Sequence, residues 1–111
     1  MSQPLPPITA QELKKRLDAG EQLRLIDVRE LQEWISELGH IEGAELMPLG
    51  TVQAKLDSVR GEAREIISVC KSGMRAGQAA GFWAQQGLKV RVLSGGMMQW
   101  NAEKLPITRD P

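Results

Sequence analysis

Apolar and polar positions along the chain fall into short blocks whose period changes from one block to the next. The first block opens at Ile8, after a polar, proline-rich stretch over 1–7 that reads as a flexible lead-in. Thr9 and Glu12 have the Thr-x-x-Glu spacing of a capping box, in which each side chain satisfies a backbone donor of a new helix. Leu13 and Leu17 share one face of that helix while Lys14, Lys15 and Arg16 face water. The spacing predicts a helix through Ala19 that Gly20 stops. Residues 23–28 (LRLIDV) are short, apolar and β-prone, which predicts a buried strand with an acidic residue, Asp27, near its end. In ELQEWISELG, Leu31, Trp34, Ile35 and Leu38 recur at helical spacing, and the predicted helix runs to Gly39.

The alternation continues. A short strand is expected over 44–47, closed by Pro48, and then a helix over 49–59 marked only by Leu56 and Val59, since Gly50, Thr51 and Val52 are poor helix formers. Residues 65–69 (EIISV) read as a buried strand running straight into Cys70. From about residue 74 to 86 the small residues of GQAAGFWAQQ suit a helix packed closely on a sheet, ended by Gly87. Residues 90–93 (VRVL) form another strand, followed by Ser94-Gly95-Gly96 and a helix, MMQWNAEKL, that Pro106 ends. Trp34 and Trp83 are read as core. Strands alternating with helices imply parallel crossover units and an α/β sheet covered on both faces. Ligands of such open sheets bind beyond the carboxyl ends of the strands, which is where Cys70 stands.

Composition narrows the function classes. At 111 residues the chain is the size of one domain. Fourteen basic and fourteen acidic residues cancel, so the whole-molecule field favours neither nucleic acid nor an anionic membrane as a partner. No apolar run reaches the roughly 18 residues needed to span a bilayer. The single cysteine cannot form a disulfide within this sequence, and MSQPLPPITA lacks the pattern of a secretory signal, so a reducing, cytoplasmic location is expected.

The chemistry concentrates at VCKSGMRAG. Between a strand and a helix, Cys70, Lys71, Ser72, Gly73, Met74 and Arg75 are expected to curl so that backbone N–H groups converge near the helix N-terminus, a setting that favours an anion. Gly73 permits a backbone conformation that residues with a Cβ avoid, and Ser72 adds a hydroxyl donor. A helix N-terminus and the nearby cations Lys71 and Arg75 favour thiolate, the nucleophilic form of cysteine. The plain alternative is a small buried cysteine at a strand end, but glycine, serine and two cations around it are hard to explain by packing alone.

These residues resemble the rhodanese-like sulfurtransferases. The likeness covers nearly the whole chain: LIDVRE with Trp34 downstream, GHIEGA followed by Met47-Pro48, CKSGMRA, and SGGMMQW, in the family's order. The resemblance implies an α/β fold with a central five-stranded parallel sheet and helices on both faces. It implies a single domain over 8–108 with a tail at 109–111. It further implies that Cys70 accepts a sulfane sulfur as a persulfide and passes it to a nucleophilic acceptor. Four residues separate Cys70 from Arg75. Cysteine phosphatases of related fold place one more residue there, since a phosphate needs a wider ring than one sulfur atom, so the loop length favours sulfur transfer.

Under that reading Lys71 and Arg75 neutralise a small sulfur-containing anion such as thiosulfate, and no metal or organic cofactor is needed. With no second cysteine in the sequence, the acceptor is external: a thiol, cyanide or the cysteine of a partner protein. Asp27 and Arg29 match the family's strand-end acid and base and are expected to brace the loop through a charge-assisted network. His40, the only histidine, reads as a turn residue remote from the thiol. Met97 and Met98 can line an acceptor site or pack as helix core. Ala76 departs from the family's pattern, where a serine or threonine often follows the arginine, and this bears on donor preference. Two rival readings remain: a rhodanese-like interaction module without turnover, and a sulfur carrier to a dedicated partner enzyme.

Overall fold

A computed structural model describes residues 3–111. Its strands are β1 (Leu23–Asp27), β2 (Glu45–Leu46), β3 (Glu65–Val69) and β4 (Val90–Val92), and its α-helices are α1 (Ala10–Asp18), α2 (Leu31–Trp34), α3 (Met74–Gln85) and α4 (Gly96–Ala102). The strands form one parallel sheet in the order β2-β1-β3-β4.

Alternation along the strands sends side chains to opposite faces. Ile26, Ile66, Cys70 and Val90 join one core with Ala76, Ala80 and Trp83 of α3. Leu25, Ile67, Val69 and Leu93 join a second core with Leu13 of α1 and with Met97 and Trp100 of α4. Helices therefore cover both faces of the sheet.

Among the described residues the sheet has four strands where the resemblance implies five. Ile8 makes a single parallel bridge to Leu93 at the β4 edge. Its N–H donates to the Val92 carbonyl at 3.0 Å, and Leu5 N–H donates to Val90 at 2.8 Å. Pro6 and Pro7 lie between them without N–H groups, so a continuous ladder cannot form there. Of the stretch read as a flexible lead-in, residues 1 and 2 lie outside the described residues.

The capping box at Thr9 and Glu12 forms, with the Thr9 N–H donating to Glu12 Oε1 at 2.9 Å and the Glu12 N–H to Thr9 Oγ1 at 3.1 Å. Two helices differ from expectation. After β1 only one turn forms, because Ser36 turns its hydroxyl onto the Glu33 carbonyl at 2.6 Å and competes with the helix bond. Leu31 and Ile35, expected on the covered face, are exposed, while Trp34 is buried. The expected helix over 49–59 is instead two 3-10 turns, Leu49–Thr51 and Leu56–Ser58. Thr51 and Ser58 hydroxyls bond the carbonyls of Pro48 and Lys55, both at 2.7 Å, again offering the backbone an alternative to an α-helix.

Candidate functional site

The site begins where β3 ends. Val28 N–H donates to the Val69 carbonyl at 2.9 Å and Leu93 N–H to the Ser68 carbonyl at 3.0 Å, so both neighbouring strands hold the β3 end up to Cys70. Ser68 is fully buried and gives its hydroxyl to the Ala76 carbonyl at 2.9 Å, tying the strand to the first turn of α3. Between these two anchors the chain must turn within Cys70 to Arg75. Gly73 takes φ +118° at the α3 N-cap, a conformation closed to most residues with a Cβ.

The turn brings the Gly73 N–H to 2.9 Å from Cys70 Sγ. Met74 and Arg75, as the first residues of α3, have N–H groups with no helical carbonyl to bond, so the positive end of the helix faces the loop. The carbonyls are drawn the other way: those of Cys70 and Lys71 accept the N–H groups of Met97 and Met98 at 2.8 and 2.9 Å. Amide donors on one side and anchored carbonyls on the other make an anion-favouring loop around the thiol.

Gly96 makes that anchoring fit. It is buried, and a Cβ built on it would lie 2.4 Å from the Cys70 oxygen and 2.5 Å from the Lys71 oxygen. Met97 is wholly buried in the second core, so within the Met97–Met98 pair only Met98 presents its side chain outward. Met97 therefore serves as helix core, with its N–H on the loop.

Lys71 and Ser72 are exposed at the rim and Met74 stands out into solvent. Arg75 is placed differently from expectation. Its Nη1 and Nη2 grip the two carboxylate oxygens of Glu33 at 2.8 and 2.9 Å, leaving it a long-range cation for the loop and not a free donor for a bound anion. That grip holds the Glu33 carboxyl far down, at about 2, with the Arg75 hydrogen bonds as the leading cause. In turn the Arg75 guanidinium is raised, first by Glu33 and further by the charges of Cys70 and Asp27.

Glu33 escaped the sequence reading. Its one visible signal is its position three residues after Glu30, where its side chain accepts the Glu30 N–H at 3.1 Å as a helix cap. Ser68 escaped as well, hidden in an apolar strand.

Asp27 and Arg29 are buried together, 1% and 0% exposed, which obliges them to pair. Arg29 Nε and Nη2 donate to Asp27 Oδ1 and Oδ2 at 2.9 and 2.8 Å, and Nη2 also reaches the Gly39 carbonyl at 2.7 Å. Arg29 Nη1 meets the Glu33 carbonyl at 3.4 Å. The pair thus ties β1 to the residue whose carboxylate holds Arg75. His40 Nδ1 lies 2.8 Å from the Trp34 carbonyl, and its ring stacks on the Trp34 ring with centroids 3.4 Å apart. Trp34 thus holds the imidazole from two sides.

Among the described residues no group of three or more His, Cys, Asp and Glu side chains is placed to hold a metal ion, and no helix is long and apolar enough to cross a membrane.

Known proteins resemble this chain in sequence and in fold. The family described as "Rhodanese-like domain" matches residues 9–103. "Putative sulfurtransferase YtwF" of Bacillus subtilis is 35% identical over 99 residues, covering 89% of this chain and 93% of that protein. "Putative sulfur carrier protein YrkF" of the same organism is 35% identical over 101 residues, 89% of this chain but 52% of that longer protein. A rhodanese-related protein from Thermoplasma volcanium has a crystal structure that superimposes with a TM-score of 0.84 at 25% identity, covering 96% of this chain and all of that one. Residues 9–103 match the family and the whole fold superimposes on a rhodanese-related structure, and the chain belongs to the rhodanese-like domain family, among relatives named as sulfurtransferases.

Proposed function

We propose that the protein moves sulfane sulfur through a persulfide on Cys70. In the first half-reaction the Cys70 thiolate attacks the outer sulfur of a donor such as thiosulfate. A new S–S bond forms to Cys70, and the donor's own S–S bond breaks with its electron pair leaving on sulfite. In the second, an external thiol, cyanide or a partner protein's cysteine attacks the outer sulfur of the persulfide, and the broken bond returns its pair to Cys70. Both halves are nucleophilic displacements at sulfur and call for no metal or organic cofactor.

One observation carries this reading: the Gly73 N–H lies 2.9 Å from Cys70 Sγ at the opening of a 12-residue helix. Negative charge on the attacking sulfur, and on a persulfide extending from it, falls where N–H groups and the helix dipole favour it. The donor's remaining charge is met by Lys71 and the Ser72 hydroxyl, with Arg75 acting at longer range from Glu33's grip. A loop with four residues between Cys70 and Arg75 fits one sulfur atom better than a phosphoryl group. A lone thiol that must stay reduced fits the cytoplasm, with neither nucleic acid nor membrane as a partner. A carrier role, the word used in the name of YrkF, uses the same persulfide and differs only in its acceptor.

Intact mass spectrometry tests the proposal. After thiosulfate the protein gains the mass of one sulfur atom, cyanide removes it, and Cys70→Ser never acquires it. If neither thiosulfate nor a protein persulfide leaves an adduct on Cys70, the proposal fails.

A further inference from the structure

The charged side chains that the structure connects to the cysteine loop are Asp27, Arg29, Glu33, Lys71 and Arg75, and all but Lys71 are paired with one another. Arg29 Nε and Nη2 hold the Asp27 carboxylate at 2.9 and 2.8 Å in a pair withdrawn from water. Arg75, in the first turn of α3, gives both terminal nitrogens to the Glu33 carboxylate at 2.8 and 2.9 Å. Lys71 is exposed at the rim and takes part in none of the ion pairs among the described residues. Asp27 cancels Arg29 and Glu33 cancels Arg75, so Lys71 is the one whole positive charge left over, beside the partial charge of the α3 N-terminus.

This balance bears on which anion the loop takes. Arg75 stands within electrostatic range of Cys70: its guanidinium is raised first by the Glu33 hydrogen bonds and further by the charge on Cys70. Without the Glu33 charge, Arg75 would count as a second full cation at the same site. Attraction grows with the product of the charges, so a dianion gains twice as much free energy as a monoanion from each uncompensated cation. In a partly solvated site a unit charge about 8 Å away changes binding roughly three-fold per charge on the ligand.

We infer that Glu33 sets the donor preference of the loop: by neutralising Arg75 it fits the site to a singly charged sulfane-sulfur anion and denies a doubly charged one most of the benefit of its second charge. The inference rests on the persulfide reading of Cys70 and names the donor class that reading leaves open. Glu33 touches no donor and acts through Arg75 as a specificity-determining residue. Its Oε1 also accepts the Glu30 N–H at 3.1 Å as a helix cap. A glutamine at this position keeps an oxygen for both Glu30 and Arg75, so Glu33→Gln removes the charge and spares the contacts.

Two anions with the same sulfane-sulfur bond serve as probes: thiosulfate, a dianion, and methanethiosulfonate, a monoanion. Binding is followed in the full chain carrying Cys70→Ser, which cannot take up sulfur, by the shift of the Gly73 amide resonance at constant ionic strength. With one uncompensated cation, thiosulfate is expected to bind about three-fold more tightly than methanethiosulfonate. Adding Glu33→Gln raises that ratio to about ten-fold, and adding Lys71→Gln in its place lowers it to about one. A general loosening of the fold weakens both anions alike and leaves the ratio where it was. Lys71 is exposed, so its substitution spares the fold and tests the same balance even where the Glu33 variant unfolds. A ratio unmoved by Glu33→Gln, a dianion preference that survives Lys71→Gln, or no shift at Gly73 with either anion would overturn the inference. Sulfur uptake by wild-type Cys70 is read separately by mass: its failure refutes the persulfide reading, whereas the binding ratios judge the charge balance.

Discussion

Glu33 and Arg75 are 42 positions apart, yet each is the other's principal partner. Arg75 is a loop residue by sequence and a clamp by geometry, since its two terminal nitrogens are spent on a carboxylate that α2 delivers. The pair has a definite pH signature. Glu33 ionises at about 2 in the folded protein against an ordinary 4.5, so its pKa is depressed by folding. A depressed carboxyl contributes stability that is full above the unfolded value and is lost as the pH falls through the folded value. The stability difference between the wild type and Glu33→Gln is therefore expected to be constant near neutrality and to shrink as the pH falls from 4.5 towards 2. Urea unfolding of both proteins across that range measures it. A difference that does not vary with pH would show that the carboxylate charge contributes nothing through Arg75. The turn from β3 through Cys70 into α3 was legible in the sequence because its signals are local, whereas Glu33 was not, because its partner is remote.

At the scale of elements, the loop depends on the start of α4. Two N–H groups of that helix hold the Cys70 and Lys71 carbonyls, and only glycine at position 96 lets the backbones come so close. Gly96→Ala places a methyl against backbone oxygens that have no freedom to swing aside. It is expected to cost about 1–3 kcal/mol of stability in thermal or urea unfolding. It should also slow sulfur loading of Cys70 by about ten- to hundred-fold, because the loop shifts under the thiol. Gly95→Ala is the control: its new Cβ meets the Gln99 side chain at 2.5 Å, so it strains α4 without pushing on the loop. Equal loading rates in the two variants would deny Gly96 its role in positioning. Element boundaries were legible where local chemistry decides them, as at the Thr9 capping box. They were missed where hydroxyls took over backbone carbonyls, at Ser36, Thr51 and Ser58.

At the scale of the whole molecule, the buried Asp27–Arg29 pair joins the end of β1 to the turn at Gly39 and to Glu33. Asp27→Asn leaves a guanidinium buried without its counter-charge. It is expected to cost about 3–5 kcal/mol, read as a lower urea midpoint, and Asp27→Asn/Arg29→Met should recover part of the loss. A double variant no better than the single would mean that the pair holds shape beyond its charge balance. The sequence by itself determined the α/β class, the order of the parallel strands' segments and the place of Cys70 between a strand and a helix, because period, caps and glycines act over a few residues. Tertiary structure alone decided that Ile8 adds one bridge in place of a fifth strand, that Met97 turns inward while Leu31 and Ile35 face solvent, and that Arg75 answers to Glu33. Those outcomes depend on which surfaces meet when distant segments pack, and short-range patterns carry no record of that.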